Sequence, residues 1–196
     1  PGPDGQPRCT WCLGRDPYVH YHDQEWGFPV AGDRRLFEKI SLEAFQSGLS
    51  WYTILQKREN FRAAFAQFHF HQVARVGEAD VQRLLHDAGI VRHRGKIEAV
   101  IHNAARAVEM VAQEGSLAAF FWRFAPEQAS DGVQVLAQTP ESQALAKALK
   151  QRGWKFVGPT TCYAFMQSMG MVNDHAAACV TRAAVEEMRN RFQRPA

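Results

Sequence analysis

The chain has 196 residues, 46% of them apolar and 22% charged, an ordinary globular composition that suits one domain with a real core and excludes general disorder. Its 23 basic and 20 acidic side chains leave a net charge of +3, which permits a nucleic-acid partner without demanding one. The longest clean apolar run, Leu117 to Trp122, stops at Arg123, far short of the ~18 residues of a membrane span, so no membrane partner is expected.

The first residues, Pro1-Gly2-Pro3-Asp4-Gly5-Gln6-Pro7, contain no apolar signal core and read as a disordered extension, with residues 8–196 as a single domain. The expected compartment is the reducing cytoplasm, where four cysteines are ligands or core residues before they are disulfides. Helical periodicity dominates from residue 33. Asp33 reads as an N-cap for a helix carrying Leu36, Phe37, Ile40 and Ala44 on one stripe. Ser50 caps a second helix that turns Trp51, Ile54, Leu55, Phe61 and Phe65 inward. A third helix covers about 78–88 and stops at Gly89, and a long one starts at about Lys96 and buries Ile97, Val100, Ile101, Ala104 and Val108. Thr139-Pro140 starts a helix ending near Gly153. Another covers about 160–169, and a polar last helix carries Val185, Met188 and Phe192. At most 155–157 is extended. The fold class is all-α.

Cys9 and Cys12 form a C-x2-C pair, and His175 and Cys179 an H-x3-C pair spaced one helical turn apart. Thiolates and neutral imidazoles are the ligands of a closed tetrahedral zinc site. From spacing alone two ligand sets compete: Cys9, Cys12, His175 and Cys179, or the same set with His22 in place of Cys12 and Asp23 behind it. Cys162 lies in an apolar stretch and reads as core.

Glu43 follows Ile40 by three residues and Leu36 by seven, so it stands on an apolar helix face. A carboxylate there is paired, with Lys39 or Arg35, or it is functional. Gln46, Gly48, Leu49, Ser50 and Trp51 follow at once, and Trp11, Tyr18, Tyr21 and Trp26 lie upstream. Further on, Gly89 and Gly95 bound a turn between two helices that carries Arg92, Arg94 and Lys96. Backbone N–H groups at such a helix start cradle phosphate, which supplies affinity and not specificity.

These stretches together resemble the DNA-3-methyladenine glycosylase I family of bacterial base-excision repair enzymes, within the helix-hairpin-helix superfamily. The resemblance is carried by Arg8-Cys9-Thr10-Trp11, Tyr21-His22-Asp23-Gln24-Glu25-Trp26-Gly27, Leu42-Glu43, Gln46-Ser47-Gly48-Leu49-Ser50-Trp51 and Lys57-Arg58-Glu59-Asn60. It continues through Asp87 to Ile97, Lys155-Phe156-Val157-Gly158 and Val172-Asn173-Asp174-His175 with Cys179, so it covers about residues 8–180. It implies a helix-hairpin-helix glycosylase fold, with the hairpin part at about 50–130 and the two ends of the chain joined by one structural Zn²⁺ on Cys9, His22, His175 and Cys179. It assigns base binding to Trp11, Tyr18, Tyr21, Trp26, Glu43 and Trp51, with Glu43 as the catalytic group, and DNA contact to Gln46, Gly48, Leu49, Gly89, Arg92, Arg94, Gly95 and Lys96. Leu49 would fill the gap left in the duplex.

The implied activity is that of a monofunctional, monomeric hydrolase on double-stranded alkylated DNA, needing no protein partner. N3-methylation leaves adenine cationic and its glycosidic bond weak, so a desolvated Glu43 and a sandwich of Trp51 and Tyr21 suffice. The absence of any Asp between Lys96 and Ser130 agrees with this and counts against a glycosylase for oxidised bases. The competing reading, a non-catalytic zinc-stabilised DNA- or damage-binding module, has no use for a carboxylate among aromatic rings.

Overall fold

The computed structural model describes residues 1–134 and 136–196, and no strand occurs among them. The helices are α1 (Asp16–Gln24), α2 (Asp33–Gln46), α3 (Trp51–Gln56), α4 (Arg58–Ala64), α5 (Phe70–Val73), α6 (Glu78–Leu85), α7 (Arg94–Glu114), α8 (Leu117–Trp122), α9 (Pro140–Gln151), α10 (Pro159–Ser168) and α11 (Arg182–Arg191). The all-α expectation therefore holds for the described residues.

Helix α2 is the hub, packed on α3, α7, α8 and α10. Every residue from Leu36 to Phe45 except Glu38 is buried, so neighbours cover it on nearly all sides rather than along one stripe. Its Phe37 and Phe45 meet Phe61, Phe65 and Phe68 in an aromatic core, with Phe45 and Phe61 centroids 4.7 Å apart. Helix α8 is buried over its whole length.

Several elements differ from the sequence expectation, each for a local reason. The helix capped by Ser50, whose Oγ accepts from the Thr53 N–H, breaks at Lys57 into α3 and α4. Asp33 does not cap its own helix; its carboxylate accepts from Ala118 N–H and caps α8 (3.0 Å). Helix α1 had no sequence signal, because its apolar stripe is thin and interleaved with Asp16, His20, His22 and Asp23. His175 and Cys179 lie in turns, not on a helix. Residues 155–157 are not extended: Phe156 is left-handed at φ +56°, and Asn103 clamps the loop by bonding both Lys155 backbone groups (2.9 and 2.8 Å). Residues 1–7 do not trail away. Gly2 N–H bonds the Gln6 carbonyl, Asp4 pairs with Arg8, and Val180 N–H bonds the Pro7 carbonyl.

Helix α11, whose role the sequence left open, buttresses the turns that carry His175. Arg182 donates to the carbonyls of Asn173, His175 and Ser130, and Arg189 donates to those of Gly170 and Met171. Gly170 has φ +78°, and a Cβ there would lie 2.4 Å from Pro29 N, so only glycine allows these segments to meet.

The largest correction concerns Lys96. It was expected to bind phosphate, but its side chain is buried and its ammonium donates to the carbonyls of Phe45 (3.0 Å) and Ser47 (2.7 Å) at the C-terminal end of α2. A cation belongs there, because the last carbonyls of a helix lack backbone partners and carry partial negative charge. Lys96 thus ties the start of α7 to the segment that leads into Gly48 and Leu49. Replacing it by Met should remove ~1–3 kcal/mol of charge-assisted bonding. At about 2–4 °C per kcal/mol for a chain of this size, thermal unfolding should show a fall of several degrees.

Candidate functional site

Two sites form where α1 and α2 approach the C-terminal turns, and they share a wall. In the first, Cys9, His22, His175 and Cys179 are all buried and their ligand atoms lie within 4.8 Å of one another. Cys179 Sγ is 3.5 Å from both His22 Nε2 and His175 Nδ1, and the two imidazole nitrogens are 3.1 Å apart. Ligands at about 2.0–2.3 Å around a tetrahedral ion have similar mutual spacings. The far nitrogens are held from outside: His22 Nδ1 by Asp23 (2.7 Å) and His175 Nε2 by the Trp26 carbonyl (2.8 Å). Asp23 is itself fixed by Arg8 and Thr181. This fixes each ring so that its other nitrogen faces the cluster.

Burial lowers the pKa of both histidines, to about 4 for His175, and pushes the Cys9 thiol up to about 12. Two sulfurs and two imidazole nitrogens converge on one point in a buried space, so the donor set fits a metal ion. Cys12 stands outside it, donating to the Cys9 carbonyl (3.2 Å), and Cys162 is buried core. Of the two ligand sets that spacing left open, the one with His22 is assembled. Gly27 shows how tight the enclosure is: φ is +90°, and a Cβ would come within 3.1 Å of His175 Nε2.

The second site is a cavity of about 430 Å3 lined by Trp11, Tyr18, Tyr21, Trp26, Glu43, Gln46 and Trp51, which brings together every aromatic residue expected to contact a base. Other parts of its wall, among them residues 132–134, Gln167 and Asp174, were not expected from the sequence. Asp174 lies within the matched Asn-Asp-His stretch, and only its neighbour His175 had drawn attention. Its carboxylate accepts from Gln167 (2.9 Å) and from the Tyr163 hydroxyl.

Trp11 and Trp26 belong to both sites. Their centroids are 5.0 Å apart, Trp11 lies 5.3 Å from His22, and Trp26 lies 4.7 Å from His175. Tyr21 and Trp51 are already in direct contact, with centroids 5.5 Å apart and planes inclined at 43°. The expected sandwich is therefore corrected: no ring fits between them at that spacing, and together they form one angled wall.

Glu43 is 5% exposed, and burial raises its pKa while Lys39, 3.3 Å away, lowers it. The carboxylate is thus paired, as one of the two sequence readings had it, and it also lines the cavity. Gln46 donates to the Leu49 carbonyl (3.1 Å), Gly48 turns the chain at φ +79°, and Leu49 is left 40% exposed. Gly89, Arg92, Arg94 and Gly95 are not in the cavity wall. Gly89 and Arg92 lie on the connection between α6 and α7, which Asn60 and Lys57 anchor through the carbonyls of Gly89 and Ala88, and Arg94 and Gly95 begin α7. Arg92 is exposed, and Arg94 pairs at the surface with Glu78 and Glu98.

Comparison with known proteins points the same way. The family model for methyladenine glycosylase matches residues 11–183. The chain is 49% identical over 178 residues to DNA-3-methyladenine glycosylase 1 of Escherichia coli, covering 88% of this chain and 95% of that protein. It is 44% identical over 177 residues to DNA-3-methyladenine glycosylase of Haemophilus influenzae, at 88% and 96% coverage. Its fold matches a crystal structure of 3-methyladenine DNA glycosylase I with TM-score 0.85 at 49% identity, covering 89% of this chain and 98% of that one. A single-residue variant of such an enzyme, in complex with 3-methyladenine, matches with TM-score 0.84 at 31% identity, over 89% of this chain and 96% of that one. The chain belongs to the methyladenine glycosylase family.

Proposed function

We propose that this chain is a monofunctional DNA glycosylase that extrudes 3-methyladenine from alkylated double-stranded DNA and releases it by hydrolysis. The observation that carries this reading is the buried Glu43 carboxylate in a cavity that five aromatic rings also line. A mere duplex binder gains nothing from such a group, whereas a flat cationic purine is matched by it. Breakage of the bond between sugar and base returns the electron pair to the ring and neutralises it, and water adds to the cationic sugar carbon and loses a proton to solvent. Glu43 accepts hydrogen bonds from the base and opposes its charge while Tyr21 and Trp51 bear on its faces and edges. No lysine lines the cavity, in keeping with hydrolysis rather than Schiff-base chemistry.

In the same reading Leu49 fills the vacated stack. The connection between α6 and α7 acts as a helix-hairpin-helix clamp on phosphates, through Arg92, Arg94 and the backbone at Gly89 and Gly95. The surface pairs of Arg94 are weak enough to be exchanged for phosphate. The metal at the four-residue cluster is zinc, a closed structural site that supplies no catalytic ligand position.

Glu43→Gln should lower single-turnover release of 3-methyladenine about 10²–10³-fold, the worth of one desolvated charge-assisted contact, with affinity for undamaged duplex almost unchanged. Excision should also fall as the pH drops through the raised pKa of Glu43, with a midpoint above the ordinary glutamate range, because only the carboxylate form opposes the cation. Full activity in the variant would remove Glu43 from the mechanism.

Metal analysis checks the cluster: His22→Ala should lose zinc and melt lower, while Cys12→Ala should keep its zinc. Arg92→Glu should weaken binding to all duplexes alike and reduce the salt dependence by about one unit per lost phosphate contact. A change in which base is released, at constant salt slope, would show that the clamp had been misassigned.

A further inference from the structure

Lys39 is 6% exposed, and its ammonium serves three walls of the cavity at once. It donates to the Tyr21 hydroxyl (2.6 Å), pairs with Glu43 Oε1 (3.3 Å), and lies 3.3 Å from the centroid of the Trp51 ring and 4.8 Å from that of Tyr21. It does not line the cavity. It lines a narrow crevice on the other side of Tyr21 and Trp51, together with Glu25, Arg35, Glu38, Arg58 and Arg62.

We propose that Lys39 is a positioning residue for base recognition, which from behind the wall fixes the Glu43 carboxylate, the Tyr21 hydroxyl and the Trp51 ring relative to one another and holds Glu43 in its charged form. The inference rests on Glu43 being the base-recognition group.

The charges around the pair leave this task to Lys39. Glu25 and Glu38 are taken by Arg58 and Arg62 (2.6 and 2.8 Å). Of the groups facing Glu43 from α1, Tyr18 and Tyr21 have raised pKa values and stay neutral. Across the cavity, Arg8 is committed to Asp4 and Asp23, and Asp174 to Tyr163 and Gln167. From α7, Lys96 is spent on the end of α2. Burial opposes ionisation of Glu43, and Lys39 is the charge that favours it. Burial pushes the ammonium itself down to about 8, with Glu43 acting against that fall, so each partner favours the charged form of the other. The geometry also accounts for a lysine in place of an apolar residue, since a buried ion pair is seldom needed for stability alone and this one touches three recognition groups.

The test is the pH midpoint of single-turnover 3-methyladenine excision, read in Lys39→Met, Lys39→Arg and Glu43→Gln. In Lys39→Met the midpoint of the acid limb should rise by about one pH unit or more, the usual effect of removing a close opposite charge, and Lys39→Arg should bring it back towards the parent. Lys39→Gln, which is one bond shorter and keeps a polar donor but no charge, should show the same rise and serves if the Met variant does not fold. A lower melting temperature with the midpoint unmoved in the uncharged variants would make Lys39 purely structural and overturn the proposal. Glu43→Gln separates the two levels. If it removes the acid limb while the Lys39 variants leave it fixed, only the role of Lys39 fails; if the limb survives in Glu43→Gln, the recognition role of Glu43 fails first.

Discussion

Glu43 sits on a helix buried on almost every side, where an ionised carboxylate survives only with a counter-charge and a purpose. Burial makes the group useful, because a charge removed from water interacts far more strongly with a cationic base than a surface carboxylate could. The same burial works against ionisation, and Lys39 offsets it from the other side of the wall. The placing of Gln46 one turn on and the left-handed turn at Gly48 extend from this same helix, and Tyr21 of α1 meets Trp51 of α3 beside it.

The four-residue cluster and the cavity form one structure because Trp11 and Trp26 pack on both. Cys9 and His22 come from the start of the chain, His175 and Cys179 from the turns before α11. Bringing them together closes a very long loop, whose entropic cost the packing around the cluster has to offset. The cluster therefore helps to shape the cavity, which Cys9 itself also lines.

The end of α2 is coupled to the connection before α7 by a single buried cation. Lys96 reaches from the first turn of α7 to the carbonyls of Phe45 and Ser47, just before Gly48 and Leu49. Such a charge-assisted brace fixes the separation between the turn at Gly48 and Leu49 and the start of α7.

Local pattern alone was enough for much of this chain. The helical class, the caps at Ser50 and Thr139, and the long helix through Ile97, Val100 and Ala104 follow from periodicity and capping chemistry, which act within a few residues. The motif residues named the aromatic members of the cavity and all four members of the cluster. Contacts between distant segments decided the remainder. Spacing could not separate Cys12 from His22, because the choice depends on where α1 lies against the turns at 175–179. Nor could it show that Asp33 caps α8, that Lys96 faces inward, or that Lys39 and Glu43 share a dry interior, since the alternation of residues along α2 resembles that of a half-exposed helix. A side chain's neighbours in sequence set its helix face, but only the elements packed across that face decide whether its charge meets water, a carbonyl or another charge.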